Sequence, residues 1–148
     1  MRLSDSATIQ VPFSDIDAFN IVWYGHYSKY FEIVRRKFLN SINYDIKDWK
    51  KSSCIWLIVE SNYKYLKPIT HDQKIKVICY LDEYKYRLKI SYKIKDFYSN
   101  TVFTTGYTVQ VPVDVNGKYS KIHQNKLIDI VNKIKKNEIK RKTKLRKK

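Results

Sequence analysis

Hydrophobic and polar positions change their period along this chain, and the changes mark its elements. Ala7, Ile9, Val11 and Phe13 alternate with polar residues, which predicts a short strand with those four on one side. Pro12 lacks an N–H for a ladder, so the strand is expected at an edge or bulged there. From Gly25 to about Asn40 the period becomes helical: Tyr27, Tyr30, Phe31, Val34 and Phe38 share one stripe, while Lys29, Glu32, Arg36 and Lys37 face away.

After a turn-rich segment at residues 43–51 the period returns to two. Ser53 to Leu66, ending before Pro68, reads as a long strand, and Ile75, Val77, Cys79 and Leu81 mark one face of the next. Tyr86, Leu88, Ile90, Tyr92 and Ile94 alternate with Arg87, Lys89, Ser91, Lys93 and Lys95, as in an antiparallel strand with one wet face. Phe103, Thr105, Tyr107, Val109, Val111 and Val113 define a last apolar face, followed by the turn dipeptide Asn116-Gly117. Leu127, Ile130, Val131 and Ile134 form a narrow stripe for a closing helix, and the basic run from Lys140 to Lys148 is expected to be disordered. One helix followed by four long antiparallel strands predicts an α+β architecture, a curved antiparallel β-sheet wrapped around one long central helix, because that stripe needs a large apolar surface. Residues 1–139 are read as a single domain and 140–148 as its tail.

Composition narrows the function. At 148 residues, 43% hydrophobic and 15% aromatic, the chain can bury a core without disulfides or a structural metal. Cys54 and Cys79 sit in apolar runs, with no CxxC pair and no histidines at zinc-ligand spacing, so neither metal nor cofactor is predicted. No basic leader precedes an apolar run, and no apolar run approaches the roughly 20 residues that span a bilayer, which predicts a cytoplasmic protein. The net charge of +16 falls to +9 once the seven basic residues of Lys140–Lys148 are set aside, and the other lysines mostly alternate with apolar residues. That basic run has no interleaved aromatics and no recognition motif, so nucleic-acid binding is not predicted.

The chemistry concentrates in "SDIDAFNIVWYGHYSKYFE", Ser14 to Glu32. Reaction at a carbonyl centre needs an attacking group or activated water, together with donors for the developing oxyanion. Unpaired backbone N–H groups at a helix start supply such donors. The helix beginning near Tyr24-Gly25 has them, and Gly25 is expected to leave room for a substrate carbonyl. Asp17, seven residues earlier, would meet the same carbonyl if its loop folds back; an Asp there also serves as an ordinary turn residue. Asp15 is expected to orient the loop.

These residues resemble the signature of the hotdog-fold acyl-CoA thioesterases, in the 4-hydroxybenzoyl-CoA thioesterase-like branch. The resemblance is carried by Asp15, Asp17, Ile21-Val22, Trp23-Tyr24, His26-Tyr27 and Tyr30-Phe31-Glu32, and by "VESNYKYLKPITHDQKIKV", Val59 to Val77. It spans roughly residues 7 to 114, in order. It implies a hotdog fold and hydrolysis of acyl-CoA or acyl-carrier-protein thioesters, with Asp17 as nucleophile or general base and the backbone at Tyr24 and Gly25 as oxyanion hole. His26 departs from the Asn common among relatives, and is expected to replace it as a polar anchor or to join in acid-base work. Trp23, Glu60 and Asn62 are substrate-binding candidates, the latter two reaching a neighbouring subunit's pocket. Lys64, Lys67, Arg87 and Lys89 are candidates for contact with an anionic carrier. The resemblance also implies a homodimer or homotetramer, since sheets paired edge to edge cover an exposed strand. A non-catalytic module binding acyl thioesters or an acyl carrier protein is the alternative.

Overall fold

A computed structural model describes residues 2–44, 47, 51 and 54–148, without the side chains of Ile122 and His123. Five strands form one antiparallel sheet: β1 Ser4–Gln10, β2 Cys54–Tyr65, β3 Lys74–Glu83, β4 Leu88–Asp96 and β5 Val102–Asp114, in the order β1-β3-β4-β5-β2. The helix α1, Tyr27–Ser41, buries Tyr27, Tyr30, Phe31, Val34, Phe38 and Leu39 against it. This is the expected stripe extended by Leu39. A second helix, α2, runs from Ile122 to Arg146. The expected turn-rich segment at residues 43–51 lies mostly outside the described residues, as does Ser53.

Four expectations need correction. β1 ends at Gln10, and Phe13, placed on its core face by alternation, is 76% exposed at the start of a 3-10 turn, Phe13–Asp15. Pro12 cannot extend the ladder, so the alternation stops with it. Tyr86 precedes β4 and is also exposed.

Most of the apolar face read for β5 points away from α1, although Phe103 joins the core. Leu88, Ile90, Tyr92 and Ile94, all buried, pair directly with Gln110, Thr108, Gly106 and Thr104, and directly paired residues share a face. The helix therefore meets glycine, threonine and glutamine on β5, while Thr105, Tyr107, Val109 and Val111 lie on the opposite side. The reason is steric: the Phe31 ring is stacked between Tyr63 at 5.3 Å and Tyr92 at 4.3 Å, directly over Gly106. A Cβ at Gly106 would come within 3.0 Å of Phe31 Cε2 and 2.3 Å of the Asn62 carbonyl oxygen.

The basic segment from Lys140, expected to be disordered, continues α2 to Arg146. Lysine and arginine are good helix formers, and no Gly or Pro interrupts them. Leu127 and Val131 anchor the helix in the core, while Ile139 and Leu145 are exposed. At the other end, the Asn116-Gly117 turn forms as expected: Gly117 has φ +76°, and the Asp114 N–H donates to the Lys118 carbonyl at 2.7 Å.

Candidate active site

The loop between β1 and α1 folds back across the helix start. Ile16 bridges Val22 and Ile21 bridges Thr70, the Asp17 N–H donates to the Ile21 carbonyl at 2.9 Å, and Asn20 closes the bend at φ +60°. Val22 donates to Ile69 and Trp23 to Asp15 through their backbones.

Asp15 is the anchor of this loop. It is 2% exposed, its Oδ1 accepts from Lys29 Nζ at 2.6 Å and its Oδ2 from the Tyr30 hydroxyl at 2.6 Å. Both donors stand in the first turns of α1, so the loop is clamped to the helix. Burial pushes the Asp15 carboxyl up, but the hydrogen bonds from Lys29 and Tyr30 and the charges of Lys29 and His26 outweigh it and hold the group below its ordinary value. Burial, followed by the bond to Asp15, pushes the Tyr30 phenol strongly up. The Nδ1 of His26 lies 3.8 Å from Asp15 Oδ1, so His26 belongs to this anchor cluster.

Asp17 is half-buried and lines a cavity of about 290 Å³ together with Tyr24, Tyr27, Tyr65 and Lys67. Its Oδ1 accepts the Phe19 N–H at 2.8 Å, the turn role that such a residue commonly fills. Burial raises the Tyr27 and Tyr65 phenols, so both remain hydrogen-bond donors at neutral pH. A 3-10 turn, Tyr24–His26, leads into α1; the His26 N–H donates to Trp23 and the Tyr27 N–H to Tyr24. Among the described residues no carbonyl takes the N–H of Tyr24 or Gly25, which leaves two donors at the positive end of the helix.

A Cβ on Gly25 would lie 2.1 Å from the Trp23 indole; the missing side chain makes room for Trp23, where room for a substrate carbonyl was expected. Trp23 also packs against the rings of Tyr24 and His26, at 5.1 and 5.4 Å. Glu60 and Asn62 pair with Val109 and Tyr107 on the face of the sheet turned away from α1, and the Tyr107 hydroxyl donates to Glu60 Oε1 at 2.6 Å. Within one chain they are not brought together with Asp17. Of the lysines and arginine named for a carrier, Lys67 reaches the cavity, whereas Arg87 pairs with Glu83 and Lys89 lies over Tyr107. Tyr27 and Tyr65 were legible only as a core position and a strand end; their shared wall depends on the loop closing over them.

The model of the thioesterase-like superfamily matches residues 11–144. The chain belongs to that superfamily. A search of curated proteins found no match. Solved structures of the same fold include a DHNA-CoA thioesterase from Staphylococcus aureus, at TM-score 0.81 and 19% identity, covering 93% of this chain and 94% of that one. A 1,4-dihydroxy-2-naphthoyl-CoA thioesterase from Synechocystis superposes at TM-score 0.76 and 14% identity, covering 82% and 90%. A gentisyl-coenzyme A thioesterase follows at TM-score 0.71 and 17% identity, covering 78% and 94%. The superfamily member described here therefore has the expected hotdog fold.

Proposed function

We propose that this chain hydrolyses acyl-CoA thioesters through the cavity at the start of α1. The observation carrying the proposal is that Asp17 and Tyr24 line one cavity, with the N–H groups of Tyr24 and Gly25 unclaimed beside it. The thioester carbonyl enters between them. The Asp17 carboxylate either attacks the carbonyl carbon or takes a proton from an attacking water. In the first case the C–S bond breaks to an acyl anhydride and thiolate, and water then releases the acid. In the second, hydroxide adds directly and the thiolate leaves. In both, the developing oxyanion is held by the helix-start N–H groups. The named relatives act on aryl-CoA thioesters, and a cavity walled by Tyr24, Tyr27 and Tyr65 suits a flat acyl group.

An edge-paired dimer is part of this reading. Among the described residues β2 pairs only with β5, and its Ile55, Leu57, Ile58 and Val59 are exposed. Ile55 and Leu57 continue onto the outer face beside Val111, an apolar surface available to a second pair of subunits.

The test is a panel of acyl-CoA esters assayed by thiol release with wild type and Asp17→Asn. Turnover lost in the variant supports the reading. Full activity in Asp17→Asn removes Asp17 from the mechanism. Because its Oδ1 already serves the turn, a non-catalytic acyl-thioester-binding module is the second reading; tight ester binding with no hydrolysis by wild type would establish it.

A further inference from the structure

A second cavity, of about 180 Å³, lies between the C-terminal half of α1 and the sheet, and shares no lining residue with the Asp17 cavity. Its contents are unusual for a helix-sheet seam. Arg35 lines it with one guanidinium N–H donated to the buried Tyr92 hydroxyl at 3.2 Å, and that hydroxyl shares a hydrogen bond with Thr108 at 2.8 Å. Among the described residues no carboxylate lies within ion-pairing distance of Arg35. Gln110 also lines the cavity and is 3% exposed; its amide N–H donates to the Trp56 carbonyl at 2.9 Å, and among the described residues its Oε1 has no partner. Native proteins rarely leave a buried acceptor unserved. Leu39 and Ile58 line it together with two aromatic residues, Tyr44 and Trp56, the Trp56 indole N–H donating to the Tyr44 hydroxyl at 2.6 Å. Glu32 and Arg36, both exposed and of opposite charge, also line it.

We infer that this cavity binds a small free carboxylic acid with a flat apolar body and one hydroxyl, its carboxylate on Arg35 and its hydroxyl donating to Gln110 Oε1. A guanidinium without a counter-ion selects the carboxylate, an acceptor without a donor selects the hydroxyl, and the aromatic walls select the ring between them. At about 180 Å³, against about 290 Å³ for the Asp17 cavity, it has room for a single-ring acid. The inference does not require the thioesterase reading.

Calorimetric titration of the full chain with 4-hydroxyphenylacetate, phenylacetate and 4-hydroxyphenylethanol tests it. Saturable binding of the first is expected, weakened about tenfold or more on losing either the hydroxyl or the carboxylate. Arg35→Gln and Gln110→Met should weaken it to a similar extent, Arg35→Lys should restore part of the loss in a folded protein, and Asp17→Asn should bind as wild type. No saturable binding by wild type, unchanged binding in Arg35→Gln, or loss confined to Asp17→Asn each overturns the inference. Absence of ester hydrolysis would count against the thioesterase reading alone, since the titration measures the free acid.

Discussion

Two aspartates separated by one residue are held differently. Asp15 is tied to α1 through Lys29 and Tyr30, whereas Asp17 lines the cavity and accepts the Phe19 N–H of its own loop. Asp17→Asn should lower thioester turnover by roughly 10²–10⁴-fold with an unchanged melting transition. Asp15→Asn should act on stability and its pH dependence. A carboxylate held below its ordinary value stabilises the fold fully above the unfolded value, about 3.9, and ceases to as pH falls through its lower native value. Thermal melts at pH 7 and pH 3 should therefore show wild type more stable than Asp15→Asn at pH 7, with the gap narrowing in acid. His26 sits 3.8 Å from Asp15, so His26→Asn should retain most turnover. Cys79 is buried, which pushes its thiol up to about 12; it should resist alkylation at pH 8 in the native protein and react after denaturation. The identity of these residues was legible in the sequence, and so was the role of Asp15 as the anchor of its loop. The Trp23 indole over Gly25 was not, because a glycine's neighbour across space leaves no mark on periodicity.

At the level of elements, packing reversed one pattern that the sequence displays plainly. β5 alternates as though Val109 and Val111 faced the core, yet register puts Thr104, Gly106, Thr108 and Gln110 against α1. Alternation fixes which residues share a face and is silent on which face is covered. The Phe31 ring between Tyr63 and Tyr92 needs the bare backbone of Gly106 beneath it. Phe31→Ala should cost about 3–5 kcal/mol in denaturant unfolding. Gly106→Ala, whose methyl would meet a backbone carbonyl, should cost about 1–3 kcal/mol. By contrast β3 and β4, paired over Ile75–Glu83 and Lys89–Asp96, present the apolar sets read from sequence, since a wet face of lysines leaves only one side to bury.

For the whole molecule, the sheet ends in β2, whose outer edge carries no strand among the described residues and whose Ile58 and Val59 are exposed, and light scattering should return at least twice the 17.9 kDa chain mass. Leu57→Glu should favour smaller species. The distal turns of α2 are exposed, so removing residues 140–148 should change stability by less than about 0.5 kcal/mol and leave hydrolysis of small CoA esters intact. Among the described residues no helix is long and apolar enough to cross a membrane. By itself the sequence determined the order of the elements, the buried stripe of α1 and the residue types at its start, because each follows from local periodicity and backbone chemistry. The tertiary structure alone decided which face of β5 meets the helix, that Glu60 and Asn62 stand apart from Asp17, and that Arg35 and Gln110 share a cavity. Those outcomes depend on strand register and on which surfaces close over one another, and contacts between residues far apart in the chain set both.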